Sequence, residues 1–218
     1  MRIDSKTKRG WLLRVCRNLE PTFDQIGFKP FGKTAFVKRE DKSSKSWQLN
    51  WRFPRFADDT HQVYVDPCIG ISLPEVDRVV SLLTGKQIAK GLNTIGGTIG
   101  LFGSQHSLVD WPIDCEEDIP QVVAQFRKDI MSIAVPFWAS IESPSKILNA
   151  IRSGSAFARM KADATVGLAV CGMVEGRAAA LQFAEANFKM LRSQNRGWPL
   201  DSIRRQICAV FAEAQCER

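Results

Sequence analysis

Two segments of the chain alternate apolar and polar residues with period two. From Trp47, the residues Trp47, Leu49, Trp51 and Phe53 are separated by Gln48, Asn50 and Arg52. Farther on, Val63, Val65, Ile69, Ile71 and Leu73 share one parity, and Gln62, Tyr64, Asp66, Gly70 and Ser72 share the other. Side chains of a strand point to opposite faces in turn, so both segments read as strands with one apolar face. Such strands belong to an antiparallel sheet with a core on one side and solvent or a partner on the other.

Helical periods flank this pair. Trp11, Leu12, Val15, Leu19, Phe23 and Ile26 mark a helix over 10–26, with Gly27 just past its end. Residues 28–39 read as extended chain, with Phe28, Phe31 and Phe36 as core positions, and 40–45 as a polar hairpin connection. Pro74 stops the second strand and opens a short helix over 75–83. Residues 93–102 read as a glycine-rich strand. The longest stripe runs from Ile119 through Phe126 and Ile130 to Trp138, a helix over 118–138 laid across the apolar face of the sheet. Each large side chain fully buried there contributes roughly 1.5–3 kcal/mol. Ser143-Pro144 opens a further helix, and residues 163–216 read as Ala- and Leu-rich helices with a break near Glu175.

The predicted fold class is α+β: an antiparallel sheet of about four or five strands, helices packed on one face, and a C-terminal helical hairpin. The boundary is drawn between an α+β domain over 1–152 and a helical extension over 153–218.

Composition narrows the function. The chain of 218 residues has no apolar run long enough for a membrane span, and its basic N-terminal residues lack the apolar stretch of a secretory signal. A cytoplasmic location and no membrane association are expected. The six cysteines form no Cys-x-x-Cys pair and read as free thiols, and two histidines at no ligand spacing predict no metal site and no cofactor. Residues 1–60 hold 14 Lys or Arg against 7 Asp or Glu, a balance of +7, while residues 61–218 hold 16 of each. The whole positive surplus therefore lies in the first quarter, which points to an acidic protein partner or to nucleic acid.

The short motifs carry no reaction. Ser143-Pro-Ser-Lys146 matches the Ser-x-x-Lys of acylating enzymes, but no companion motif accompanies it, and Ser before Pro caps a helix. The glycine-rich run 96–103 lacks the Lys-Ser/Thr ending of a phosphate loop. Strand alternation sets His61 on the opposite face from Asp66 and Cys68. With no paired acid and base or nucleophile and base, the chain reads as a non-enzymatic protein.

The succession of Gly27-Phe-Lys29, Phe36-Val-Lys-Arg39, the two strands, Asp118-Ile-Pro-Gln-Val-Val123, Val135-Pro-Phe-Trp138 and Ser143-Pro-Ser-Lys-Ile-Leu148 resembles the bacterial family called domain of unknown function 4304. It is also similar to related small α+β immunity partners of secreted toxins. The likeness covers about 10–152 and implies a binding partner with no catalytic residues.

Two functions follow: a protein-binding module of the immunity or antitoxin kind, or a nucleic-acid-binding protein using the basic quarter. Trp47 and Trp51 share parity with core positions, which leaves the basic residues no stacking platform for bases. The expected partner site is the solvent-facing parity of the central strands: Gln48, Asn50, Arg52, Gln62 and Tyr64, with Arg55 just beyond and Lys33 and Arg39 from the neighbouring strand. Tyr and Arg are favoured anchors at interfaces. The oligomeric state is left open.

Overall fold

The computed structural model describes residues 3–53, 61–86, 93–102, 111–153, 164–195 and 198–211. They form two compact units, Met1–Gly70 with Gly96–Trp138, and Ile71–Ile95 with Ala139–Arg218. The chain is α+β with an antiparallel sheet, as the sequence predicts. The units do not follow the expected division at 152/153, because helices on both sides of that position pack around one central helix of the second unit.

In the first unit, α1 (Ser5–Gln25) starts earlier than the apolar stripe indicates. Asp4 caps it, accepting from the backbone N–H of Lys6 at 2.8 Å and of Thr7 at 3.0 Å. Gly27, at φ +81°, ends it, donating its N–H to the Asp24 carbonyl. The strands are β1 (Lys29–Pro30), β2 (Ala35–Arg39), β3 (Ser44–Arg52), β4 (Val63–Ser72), β5 (Ile95–Thr98) and β6 (Trp111–Ile113). Their order is β1-β2-β3-β4-β5, with β6 paired to the start of β4. Phe36 sits opposite Trp47 and Ala35 opposite Gln48, so the alternation expected from the sequence is realised.

Phe36, Trp47, Leu49, Val63, Val65 and Ile69 are buried on one face. The helices α1 and α4 (Ile119–Asp129), which pack on each other, bury Leu19, Phe23 and Phe126 in the same unit. The rings are continuous: Phe23 stacks on Phe36 at 4.1 Å and lies 5.2 Å from Trp47, which meets Phe126 edge-on.

Three sequence expectations shift. Phe31, read as core, is 59% exposed at the β1–β2 turn, where the hairpin carries it away from α1. The glycine-rich strand is only four residues long; the chain then coils into a single turn, α3 (Ile99–Phe102), which buries both Ile99 and Gly100 where a strand would face only one of them inward. The long helix is present but carries a π turn over Ile130–Ala134 between α4 and α5 (Val135–Ser140). Pro136 explains it: a proline ring in a regular helix collides with the carbonyl four residues back, here Ser132, and the wider turn gives that carbonyl room.

The second unit is helical: α2 (Pro74–Thr84), α6 (Pro144–Arg152), α7 (Ala164–Glu175), α8 (Arg177–Ala186), α9 (Phe188–Gln194) and α10 (Leu200–Val210). The expected C-terminal hairpin is therefore part of a larger cluster. Its centre is α7, buried on all sides over Ala164–Gly172 and packed against α2, α6, α8 and α9. An apolar helix with no polar side must be surrounded. Gly176, at φ +86°, makes the break between α7 and α8.

Gly172 allows close packing. A Cβ at that position would stand 2.1 Å from the ring of Phe211. Alanine is otherwise favoured over glycine in a helix interior by about 0.5–1 kcal/mol. Gly172→Ala is expected to destabilise the protein by about 1–3 kcal/mol through overpacking. Urea unfolding checks this, and Phe211→Leu in the same chain should restore part of the loss. An unchanged or raised midpoint in Gly172→Ala would show that the ring yields freely.

Candidate functional site

The face of the sheet opposite Trp47 carries the polar parity. In β2 and β3 it presents Arg39, Gln48, Asn50 and Arg52, all exposed, and in β4 the half-buried Tyr64, Asp66 and Cys68. The Asn50 amide donates to Cys68 Sγ at 2.9 Å, which ties β3 to β4 across this face. Burial, helped by Asp66, pushes the Cys68 thiol up to about 11, so it stays a neutral packing group.

The residues expected to form the partner site do not all converge. Arg52 and Tyr64 do: the guanidinium carbon lies 3.9 Å from the ring centroid. Such stacking contributes about 0.5–1 kcal/mol at an exposed site. Gln48 and Asn50 continue the surface along β3. Gln62 is half-buried at the start of β4, its side-chain oxygen 3.5 Å from the Ile3 amide. Arg39 is opposite Ser44, at the other end of β3, roughly 26 Å from Arg52 at 3.3 Å per residue. Lys33 is outside this face, exposed at a small groove between α1 and the β1–β2 hairpin. Arg55 lies outside the described residues.

The structure adds residues at the Arg52 end. His61 sits edge-on to Tyr64, with ring centroids 5.4 Å apart. Its Nδ1 is 2.7 Å from Asp114 Oδ2, and Asp114 Oδ1 accepts from the Gln62 amide at 2.8 Å. His61 precedes β4, so strand alternation does not govern it, and its ring reaches Tyr64, whose parity Asp66 and Cys68 share. Asp114 follows β6, which pairs Val63 with Ile113 and so delivers the carboxylate to His61. Trp51 shares the parity of Trp47 but is 39% exposed, since it lies near the end of β3, beyond the buried row. A sequence reading finds no link between His61 and Asp114, 53 positions apart; the three-residue strand that joins them is too short to leave a periodic signal.

The His61–Asp114 pair has the form of a base with its orienting carboxylate. The nearest thiol in sequence, Cys115, is unsuited to serve it. The Glu117 carboxylate accepts from that thiol and, with burial, holds it above its ordinary value, the opposite of an activated nucleophile. Among the described residues no group of three or more His, Cys, Asp and Glu is placed to hold a metal ion. The five described cysteines are unpaired. No described helix is long and apolar enough to cross a membrane. Ser143 caps α6, accepting from the Lys146 amide, and the Lys146 ammonium binds Glu142 and the Ala139 carbonyl.

No protein-family model, no curated protein and no solved structure matches the chain.

The corner is held by Asp118, whose Oδ2 accepts from the amides of Asp114 at 2.8 Å and Cys115 at 3.1 Å. These hydrogen bonds hold its carboxyl below the ordinary range. A lowered carboxyl contributes stability that is present above the unfolded value of about 3.9 and is lost as pH falls through the lower folded value. Asp118→Asn, which cannot ionise, is expected to flatten the acid limb of a plot of Tm against pH below about pH 4. An acid limb as steep as that of the parent would place the titrating groups elsewhere.

Proposed function

We propose that the protein is a non-enzymatic binding protein that engages an acidic protein partner, in the manner of an immunity protein holding a toxin. The observation that carries this reading is the Arg52–Tyr64 stack on an exposed sheet face. Arg and Tyr are among the residues on which binding energy concentrates at protein interfaces. Here they are pre-ordered by a sheet, which lowers the entropy cost of association.

Charge favours an acidic protein over a nucleic-acid backbone. A phosphate backbone needs several cations in a row. Arg14 pairs with Glu116, Lys29 with Asp24, and Lys38 and Lys45 both with Glu40, so four cations of the first quarter already face carboxylates. Arg39 and Arg52 stand at opposite ends of the face. Two cations so far apart on this face can steer an acidic partner but make no row for a phosphate backbone.

The test begins with a photo-crosslinking residue at position 48, and with another at position 190 as control, in cells of the native host. A protein captured only from position 48 is then purified. Tyr64→Ala and Arg52→Glu are each expected to weaken its binding by at least 2 kcal/mol, about thirtyfold, with unchanged circular dichroism. Equal affinity in both variants would remove this face as the site. Binding of RNA or DNA with a steep loss in salt would replace the reading with the nucleic-acid one.

A further inference from the structure

The groove between α1 and the β1–β2 hairpin in the first unit encloses about 330 Å³, room for one large side chain. Cys16, Arg17 and Glu20 stand at helical spacing along its α1 wall, and Pro30, Gly32 and Lys33 form its hairpin wall. The floor is apolar. Phe36 is buried, and burial, with Glu20 adding to it, pushes the Cys16 thiol up to about 12, so that thiol stays neutral.

Two features of the rim have no use within the chain. Phe31 stands between Pro30 and Gly32, 59% exposed and with no ring partner among the described residues. Its amide donates to the Ala35 carbonyl at 2.8 Å, so the ring is presented from an ordered turn. Arg17, Glu20 and Lys33 are all exposed, and none has an ion pair or side-chain hydrogen bond among the described residues. The neighbouring Lys29 and Lys38 do have acidic partners, Asp24 and Glu40. The groove therefore carries charges of both signs, unmet, around an apolar hollow with an exposed ring beside it.

We infer that this groove is an interface between two copies of the chain related by a two-fold axis. In such an interface every contact occurs twice with the roles exchanged. The Phe31 ring of each copy enters the groove of the other, and Glu20 of each copy meets Lys33 of the other. A ligand or partner of one sign would satisfy part of the rim and be repelled by the rest, whereas a second copy supplies both signs. Pro30 has no N–H to offer a further strand, so side chains rather than strand pairing make the contact. The buried ring supplies most of the affinity, because exposed ion pairs contribute little; the ion pairs set the orientation.

Sedimentation velocity of the full chain over a concentration series tests this, with a reversible dimer expected. Phe31→Ala is expected to weaken the dimer by about tenfold or more, with unchanged circular dichroism since the ring is exposed. Glu20→Lys alone sets cation against cation and should weaken it by a similar factor. Adding Lys33→Glu to Glu20→Lys exchanges the charges and should bring the affinity back to within about threefold of the parent. Met190→Ala, which trims an exposed side chain of the second unit, should change nothing. A monomer at every concentration up to millimolar would leave the groove to some other occupant and overturn the proposal. So would a dimer unchanged by Phe31→Ala, equal loss in Met190→Ala, or a charge exchange that restores nothing.

Discussion

Phe23 is the side chain on which the first unit turns. It is fully buried and touches three other rings, Phe28, Phe36 and Trp47. One contact closes the end of α1, one fixes β2, and one fixes β3. Through Trp47 the chain of rings continues to Phe126 of α4, and from there to Trp111 of β6. A one-residue slip of β2 or β3 would turn Phe36 or Trp47 to the other face and break the chain of rings. The register that buries these rings is also the register that sets Arg52 beside Tyr64. The Arg52–Tyr64 stack is thus a by-product of core packing.

Trp47 brings a penalty along with its area. Its Nε1 is buried with no acceptor. Trp138, by contrast, donates its Nε1–H to the Gly70 carbonyl at 2.9 Å. Two tryptophans in one core therefore do different things. One fills space at the centre of the ring cluster. The other also satisfies a backbone carbonyl in β4.

Elements with long, regular periods were legible in the sequence. The stripe of α1, the alternation of β3 and β4 and the stripe of α4 rest on repeated apolar positions that only one secondary structure satisfies. The misses fall where repetition is absent or is overruled. The strand β6 is three residues long. The burial of Gly100 depends on a single helical turn that alternation cannot show. Trp51 has core parity but sits past the last neighbour able to cover it. The site was legible in part for the same reason. Arg52 and Tyr64 lie on periodic strands, so their shared face could be read. The places of His61 and Asp114 depend on what the chain brings to them from far along its length.

The interleaving of the two units has a consequence for synthesis. The chain enters the second unit at Ile71, leaves it at Ile95, and returns at Ala139. The helix α2 is made early, yet α7, a helix packed against it, is made only after the whole of the first unit. Until then α2 lacks that neighbour. Contacts that close so late expose apolar surface to aggregation. The first unit, by contrast, is complete at Trp138, before α7 has been translated. Order of emergence from the ribosome thus separates a unit that can fold early from a helix that must be shielded until α7 arrives.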